Sequence, residues 1–174
     1  EPHRFPVAKH GYLECDLPAS WRRSVQLPSL ALPPTIALRP FDGNDWDIRM
    51  TPMWAQKPGV APPSPERLRQ MADKMRGDQT SVGKLISEST ADFTNATGFG
   101  SYYRGTLTTS DPKQFKHIVQ GIAMKGDLLV SFTIGTNSPQ SPILAEGLKI
   151  VETSRQVASR DGGPASSPPA DAAP

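Results

Sequence analysis

The chain has 174 residues, with nineteen basic and seventeen acidic side chains, a net charge of +2, and nineteen prolines, about twice the usual share. Its thirty-three Gly and Pro residues make up about 19% of the sequence, below the roughly 25–30% of low-complexity chains, and the length fits one folded domain rather than two. Charges alternate without blocks, so the clustered Lys and Arg of a nucleic-acid footprint are missing, and no run approaches the roughly 18 uncharged apolar residues of a membrane span.

Residues 1–10 carry Pro2 and Pro6 with no periodicity and read as an extended, loose N-terminal arm. From Gly11 the pattern has period two. Leu13, Cys15 and Leu17 share one face and Tyr12, Glu14 and Asp16 the other, the mark of a half-buried strand. Pro18-Ala19-Ser20 turns the chain into a second strand, Trp21 to Gln26, whose adjacent Arg22 and Arg23 face opposite sides as a solvated strand end. After the proline-broken loop Leu27 to Pro34, Thr35 to Arg39 and Trp46 to Met53 are strands. They join across Asp42-Gly43-Asn44, where Asp-Gly supplies the positive φ of a hairpin turn.

A second proline-rich loop, Ala55 to Pro63, leads into a helix. Ser64 caps it, Pro65 suits its first position, and Glu66 complements its dipole. Leu68, Met71, Ala72 and Met75 repeat at helical spacing, and Gly77 marks the stop. Leu85 to Phe93 reads as one polar strand and Gly100 to Thr109 as another. His117 to Lys125 and Leu128 to Ile134 form a hairpin around Lys125-Gly126-Asp127, with Ile118, Ile122 and Met124 on one face. A second helix starts at Ser138-Pro139 or Ser141-Pro142, carries Leu144, Leu148 and Val151 as its stripe, and ends within Ser154 to Ala158. Residues 159–174 are dominated by Gly, Pro, Ala, Ser and Asp, which cannot bury enough apolar area to offset ordering entropy, so a disordered tail is expected. The order strands, helix, strands, helix excludes a doubly wound parallel sheet. It predicts a single α+β domain over residues 11–158, with a central antiparallel sheet and two main helices.

Candidate chemistry is sparse. One cysteine, Cys15, excludes an intrachain disulfide, and its inward-facing position marks a small core hydrophobe rather than a nucleophile. The three histidines have no His, Cys, Asp or Glu neighbour at ligand spacing, so no metal site and no cofactor is expected. Asp42, Asn44, Asp45 and Asp47 resemble a calcium loop, but its sixth place holds Asp47 instead of glycine and its twelfth Met53 instead of glutamate.

The stretch Thr97 to Arg104 lacks the third glycine of a dinucleotide loop and the leading basic residue of an RNA-binding strand. It reads as a glycine-bounded strand with Tyr102 and Tyr103 on opposite sides, one packed and one offered to a partner. Asn95-Ala96-Thr97 matches the glycosylation sequon, a short pattern that arises often by chance. Met53 and Trp54 precede a proline-rich loop containing Val60, and such residues give large contact area at small entropic cost. The candidate partner-binding residues are therefore Met53, Trp54, Val60, Tyr102, Tyr103 and Arg104. The alternative for Trp54 is to tuck under the loop and cover the sheet edge.

Leu17-Pro18-Ala19-Ser20-Trp21, the capped helix from Ser64, the Gly100 to Thr109 strand, Leu128-Leu129-Val130-Ser131-Phe132-Thr133 and the closing helix through Ile150-Val151-Glu152-Thr153-Ser154 resemble the PsbP-like superfamily. That superfamily includes the extrinsic photosystem II subunit, a nuclear-import cofactor that binds the GTPase Ran, and bacterial exported relatives. The resemblance implies an α/β/α sandwich that docks to a protein partner and is not an enzyme. It implies no shared active site to carry over. The opening Glu1 in place of Met, the low cysteine count and the Ala/Pro/Ser tail fit a periplasmic or secreted protein after signal-peptide removal. A small-molecule or lipid binder with a pocket between sheet and helix is the alternative, and a hydrolytic enzyme a third.

Overall fold

The computed structural model describes residues 1–27, 32–55, 59–81, 84–108, 111 and 114–158. The proposed tail over residues 159–174 lies outside them. Eleven strands and two helices follow in chain order: β1 (Pro2–Val7), β2 (Gly11–Asp16), β3 (Trp21–Gln26), β4 (Thr35–Pro40), β5 (Trp46–Met53), α1 (Pro65–Ser81), β6 (Leu85–Ser87), β7 (Ala91–Asn95), β8 (Gly98–Leu107), β9 (His117–Lys125), β10 (Leu128–Thr136), α2 (Ile143–Thr153) and β11 (Arg155–Val157). Every pairing is antiparallel. The large sheet runs β3-β4-β5-β10-β9-β8-β6, with β7 also on β8, and a small sheet runs β1-β2-β11.

Register sorts the large sheet into two faces. Ile36, Leu38, Ile48, Met50, Val119, Ala123, Val130, Phe132 and Ile134 point one way, and α2 and the small sheet close over them with Ile143, Leu148, Val151, Phe5, Val7, Leu13, Cys15 and Leu17. This is the main core. Each fully buried side chain of that size contributes roughly 1.5–3 kcal/mol, so the layer dominates the fold's stability. On the other face, α1 sets Leu68 against Ile122 and Met124, while Tyr103, Ile118 and Leu85 form a smaller cluster beside its Met75. Hence β9 is buried on both sides, and its run of apolar residues follows.

The structure corrects four boundaries. The segment read as a loose arm forms β1, which pairs along its whole length with β2 and buries Phe5 and Val7. It tolerates Pro2 and Pro6 because it is an edge strand, where a missing donor costs no ladder bond. Residues 85–93 form parts of two strands rather than one. β6 and β7 pair with successive stretches of β8, and the break between them is held by Thr90 Oγ1 donating to Asp73 Oδ1 of α1 at 2.5 Å. The second helix begins after Ser141-Pro142, with Ser141 Oγ accepting from the Ile143 amide at 3.4 Å, and the chain beyond it re-enters the small sheet as β11.

The fourth correction is Gly77, which does not stop α1: the helix continues to Ser81. Ser64 does cap its start, accepting from the Arg67 amide at 3.3 Å. A Cβ on Gly77 would meet nothing within 4 Å. Gly77→Ala is therefore expected to stabilise the protein by about 0.5–1 kcal/mol, through the unfolded state's lost backbone freedom. Urea denaturation checks this, and an unchanged or lower midpoint would contradict it.

Candidate partner-binding surfaces

The six predicted contact residues fall in separate places. Met53 ends β5 on the α1 side of the sheet, half-buried opposite Leu129. Trp54 follows it, half-buried against the main core and stacked on His10 with ring centroids 5.2 Å apart. His10 Nδ1 is in turn paired with Asp127 Oδ2 at 2.8 Å, in the β9–β10 turn. Trp54 therefore packs at the end of β5 over the β1–β2 turn, and since β5 is an interior strand it covers no sheet edge. Val60 is 60% exposed.

Tyr102, Tyr103 and Arg104 lie on β8, separated from β5 by β10 and β9. Tyr103 is fully buried and donates to Gln120 Oε1 at 2.5 Å, and burial pushes its phenol up to about 12. It cannot present itself to a partner. Tyr102 faces the opposite side, half-buried and tilted against Phe93 with centroids 6.4 Å apart.

The glycines of the Thr97 to Arg104 stretch serve packing. Gly98 has φ +147° and a Cβ there would fall 2.0 Å from the Met124 carbonyl oxygen. Gly100 leaves room for the Phe93 ring, 2.6 Å from where its Cβ would be.

The same turn holds the end of α2. Glu152's carbonyl oxygen accepts from Lys125 Nζ at 2.7 Å, Thr97 Oγ1 at 2.6 Å and Asn95 Nδ2 at 2.9 Å. Asn95 of the sequon is thus engaged in a cap. Lys125 is fully buried, its ammonium 5.3 Å from the Phe93 ring centroid, and burial brings it down to about 8. Nothing in the sequence marked this lysine, because its partners lie about 28 residues away on either side.

Elsewhere, Cys15 is buried and its thiol is pushed up to about 12, so it holds no thiolate near neutrality. Asp47 of the calcium-like loop lies on β5 between Arg39 and Arg49, which occupy both its oxygens. A matching ladder crosses the small sheet, where buried Glu14 accepts from Arg4 Nε at 2.6 Å and from Arg155. The Arg4 bond, then that of Arg155, holds this carboxyl below its ordinary range against the opposing effect of burial. Among the described residues, no group of three His, Cys, Asp or Glu could hold a metal ion, and no helix is long and apolar enough to cross a membrane.

Two hollows remain. One of about 300 Å³ lies between α2 and the β2–β3 turn, over Trp21 and Ile150, with Asp16, Glu146 and Lys149 at its rim. The other, about 250 Å³, opens on the α1 side of the sheet beside Arg49.

No family model matches the chain, and no curated protein does. Among solved structures, the solution structure of cyanobacterial PsbP (CyanoP) from Synechocystis sp. PCC 6803 superposes with a TM-score of 0.56, over 90% of this chain and 92% of that one, at 11% identity. The fold is PsbP-like. At that identity the likeness establishes the architecture alone. What this chain adds on its own account is the set of side chains on its exposed surfaces, among them Arg22, Arg39 and Arg49 on the α1 face of the large sheet.

Proposed function

We propose that this PsbP-like chain is a non-catalytic, exported accessory domain, an α/β/α sandwich that acts by docking to a protein partner. One observation carries the reading. α1 covers β6, β8 and β9 and reaches β10 at Leu129, while Arg22, Arg39, Arg49, Thr51, Ser131 and Thr133, on the same face of β3, β4, β5 and β10, remain exposed or half-buried. A sheet buried on one face and open on half the other presents a broad, rigid surface built from regular strands, which loses little entropy on association. Met53 lies at the border of that face, and Val60 is exposed in the loop leaving β5. Trp54, Tyr102 and Arg104 belong to the other side. Export rests on the composition and the low cysteine count.

The test is photocrosslinking in the source cells, from benzoylphenylalanine placed at Thr51, Val60, Tyr102 or Ile86. Ile86 is 69% exposed on the short strand β6, away from the open half-sheet. A discrete crosslinked protein from Thr51 and none from Ile86 is expected. No crosslink from any of the four positions would sink the docking reading.

Small-ligand binding has one observation in its favour, the hollow over Trp21 and Ile150, which sits at the lower end of the roughly 300–1,000 Å³ usual for ligand pockets. Its lining has one aromatic and no methionine. Thermal stabilisation by a lipid or metabolite would favour that reading.

A further inference from the structure

The open half of the sheet has a definite charge. Arg22 of β3 stands directly opposite Arg39 of β4, and Arg49 of β5 opposite Ala37, so the three arginines occupy neighbouring strands on one face. All three are exposed. The carboxylate among them is buried Asp47, and it is held from both sides: Arg39 Nη2 approaches at 3.2 Å and Arg49 Nη2 at 3.1 Å. Arg22 is itself fixed, donating to the Pro40 and Gly43 carbonyls at 2.9 and 3.2 Å. Three cations against one anion leave a surplus of two, as large as the net charge of the entire chain, so the remainder sums to neutrality. Asp42 and Asp45 lie in the β4–β5 hairpin, beyond the strand ends, and border the patch.

Guanidinium groups already oriented by Asp47 have given up much of their rotamer freedom, which lowers the cost of gripping a further carboxylate. Beside Arg49, the hollow of about 250 Å³ has apolar walls of Leu107, Phe115 and Ile118, with Gln114 and Thr133 also lining it. We infer that this half-sheet seats an acidic, extended segment of a protein partner, its carboxylates on Arg39 and Arg49 and a neighbouring apolar side chain in the hollow beside them. The inference rests on the docking reading and names the partner's chemistry.

Two other occupants fit less well. The chain's own C-terminal residues carry Asp161 and Asp171 against Arg160, and the last described strand, β11, lies in the small sheet that packs on the opposite face. A nucleic acid draws on roughly six to ten phosphate contacts for salt-dependent affinity, more than three arginines shared with Asp47 supply.

The test is fluorescence anisotropy of the full chain with a labelled peptide alternating Glu and Leu, against its Lys–Leu counterpart and a labelled single-stranded oligonucleotide. The Glu–Leu peptide is expected to bind at least about tenfold more tightly than either, a difference of about 1.4 kcal/mol. Its affinity should fall several-fold as ionic strength rises from about 0.05 to 0.3 M. Arg49→Gln should weaken it about tenfold. Thr133→Trp, which fills the hollow and leaves every charge in place, should weaken it as well, and thermal melts of both variants establish that they fold.

Equal binding of the two peptides, tighter binding of the oligonucleotide, or unchanged affinity in both folded variants would overturn the inference. A crosslink from Thr51 together with failure of the Glu–Leu peptide overturns the acidic segment alone. Failure of the peptide with no crosslink from any of the four positions overturns the docking reading with it.

Discussion

Gly98→Ala is expected to destabilise the protein by about 3 kcal/mol or more, read as a large drop in the urea midpoint or as loss of soluble protein. Two costs add. A φ of +147° lies where side chains other than hydrogen are strained, at roughly 1–3 kcal/mol, and overpacking adds a similar amount. The overpacking cannot be relieved by a rotamer change, because the atom 2.0 Å from the new Cβ is the backbone oxygen of Met124, in the register that pairs β8 with β9. Moving it would also disturb Lys125, whose Cδ is 3.3 Å away. Gly77→Ala, with open space around it, is the matched control of opposite sign. A Gly98→Ala protein as stable as the wild type would contradict the turn geometry that seats Lys125 against α2.

The strands legible in the sequence are those marked by alternation or bounded by clear turn residues. The alternation of Leu13, Cys15 and Leu17, the Asp42-Gly43 hairpin, where Gly43 has φ +78°, and the β9–β10 hairpin all follow from period two and turn chemistry. The capped start of α1 follows from Ser64 and Pro65. The errors share a cause. β1 and β11 are strands whose pairing partner, β2, supplies what their own composition lacks, and Gly77 is outvoted by Leu68, Met71 and the cluster they enter. β6 and β7 are divided by contacts with α1 that local sequence does not encode.

Surface function was less legible for a related reason. The opposite facing of Arg22 and Arg23 was readable, since neighbours on a strand diverge, and Arg23 does turn away to bond the His3 ring. That Arg22 joins Arg39 and Arg49 was not, because the three come from separate strands and only strand pairing places them side by side. A chain with evenly scattered charges can thus own a concentrated patch. Tyr102 and Tyr103 face opposite sides as strand alternation requires, but which of them is fully buried depends on α1 and β6, so the sequence does not name it.

Lys125 gives the second large effect, and its sign is unusual. The ammonium is fully buried, with Glu152's carbonyl, Thr97 Oγ1 and the Phe93 ring around it, at the C-terminal end of α2 where the helix dipole favours a cation. Burial nonetheless dominates over the neighbouring Glu152 and Cys15, lowering it from 10.5 to about 8. A lysine whose folded value is depressed binds fewer protons folded than unfolded between those limits, so stability must rise with pH there, by up to about 1.4 kcal/mol per pH unit. Below pH 8 both states are charged and the folded state bears the whole penalty, roughly 1–3 kcal/mol after allowance for screening.

Two other groups oppose the rise at higher pH. Cys15 moves from 9.0 to about 12 and Tyr103 from 10.0 to about 12, so each loses its proton first in the unfolded chain and lowers stability above its ordinary value. The wild type should therefore gain stability from pH 8 to 9, level off, and decline above 10, while Cys15→Ala should extend the rise towards 10. Lys125→Met keeps the packed stem and removes the charge. It should be more stable than the wild type at pH 7 and show no rise between 8 and 9. Lys125→Glu sets a carboxylate against the carbonyl end of α2 and is expected to cost more than about 3 kcal/mol or to prevent folding. Urea denaturation at pH 7, 8, 8.5 and 9 reads all of these, and a rise that persists in Lys125→Met would remove Lys125 as its source.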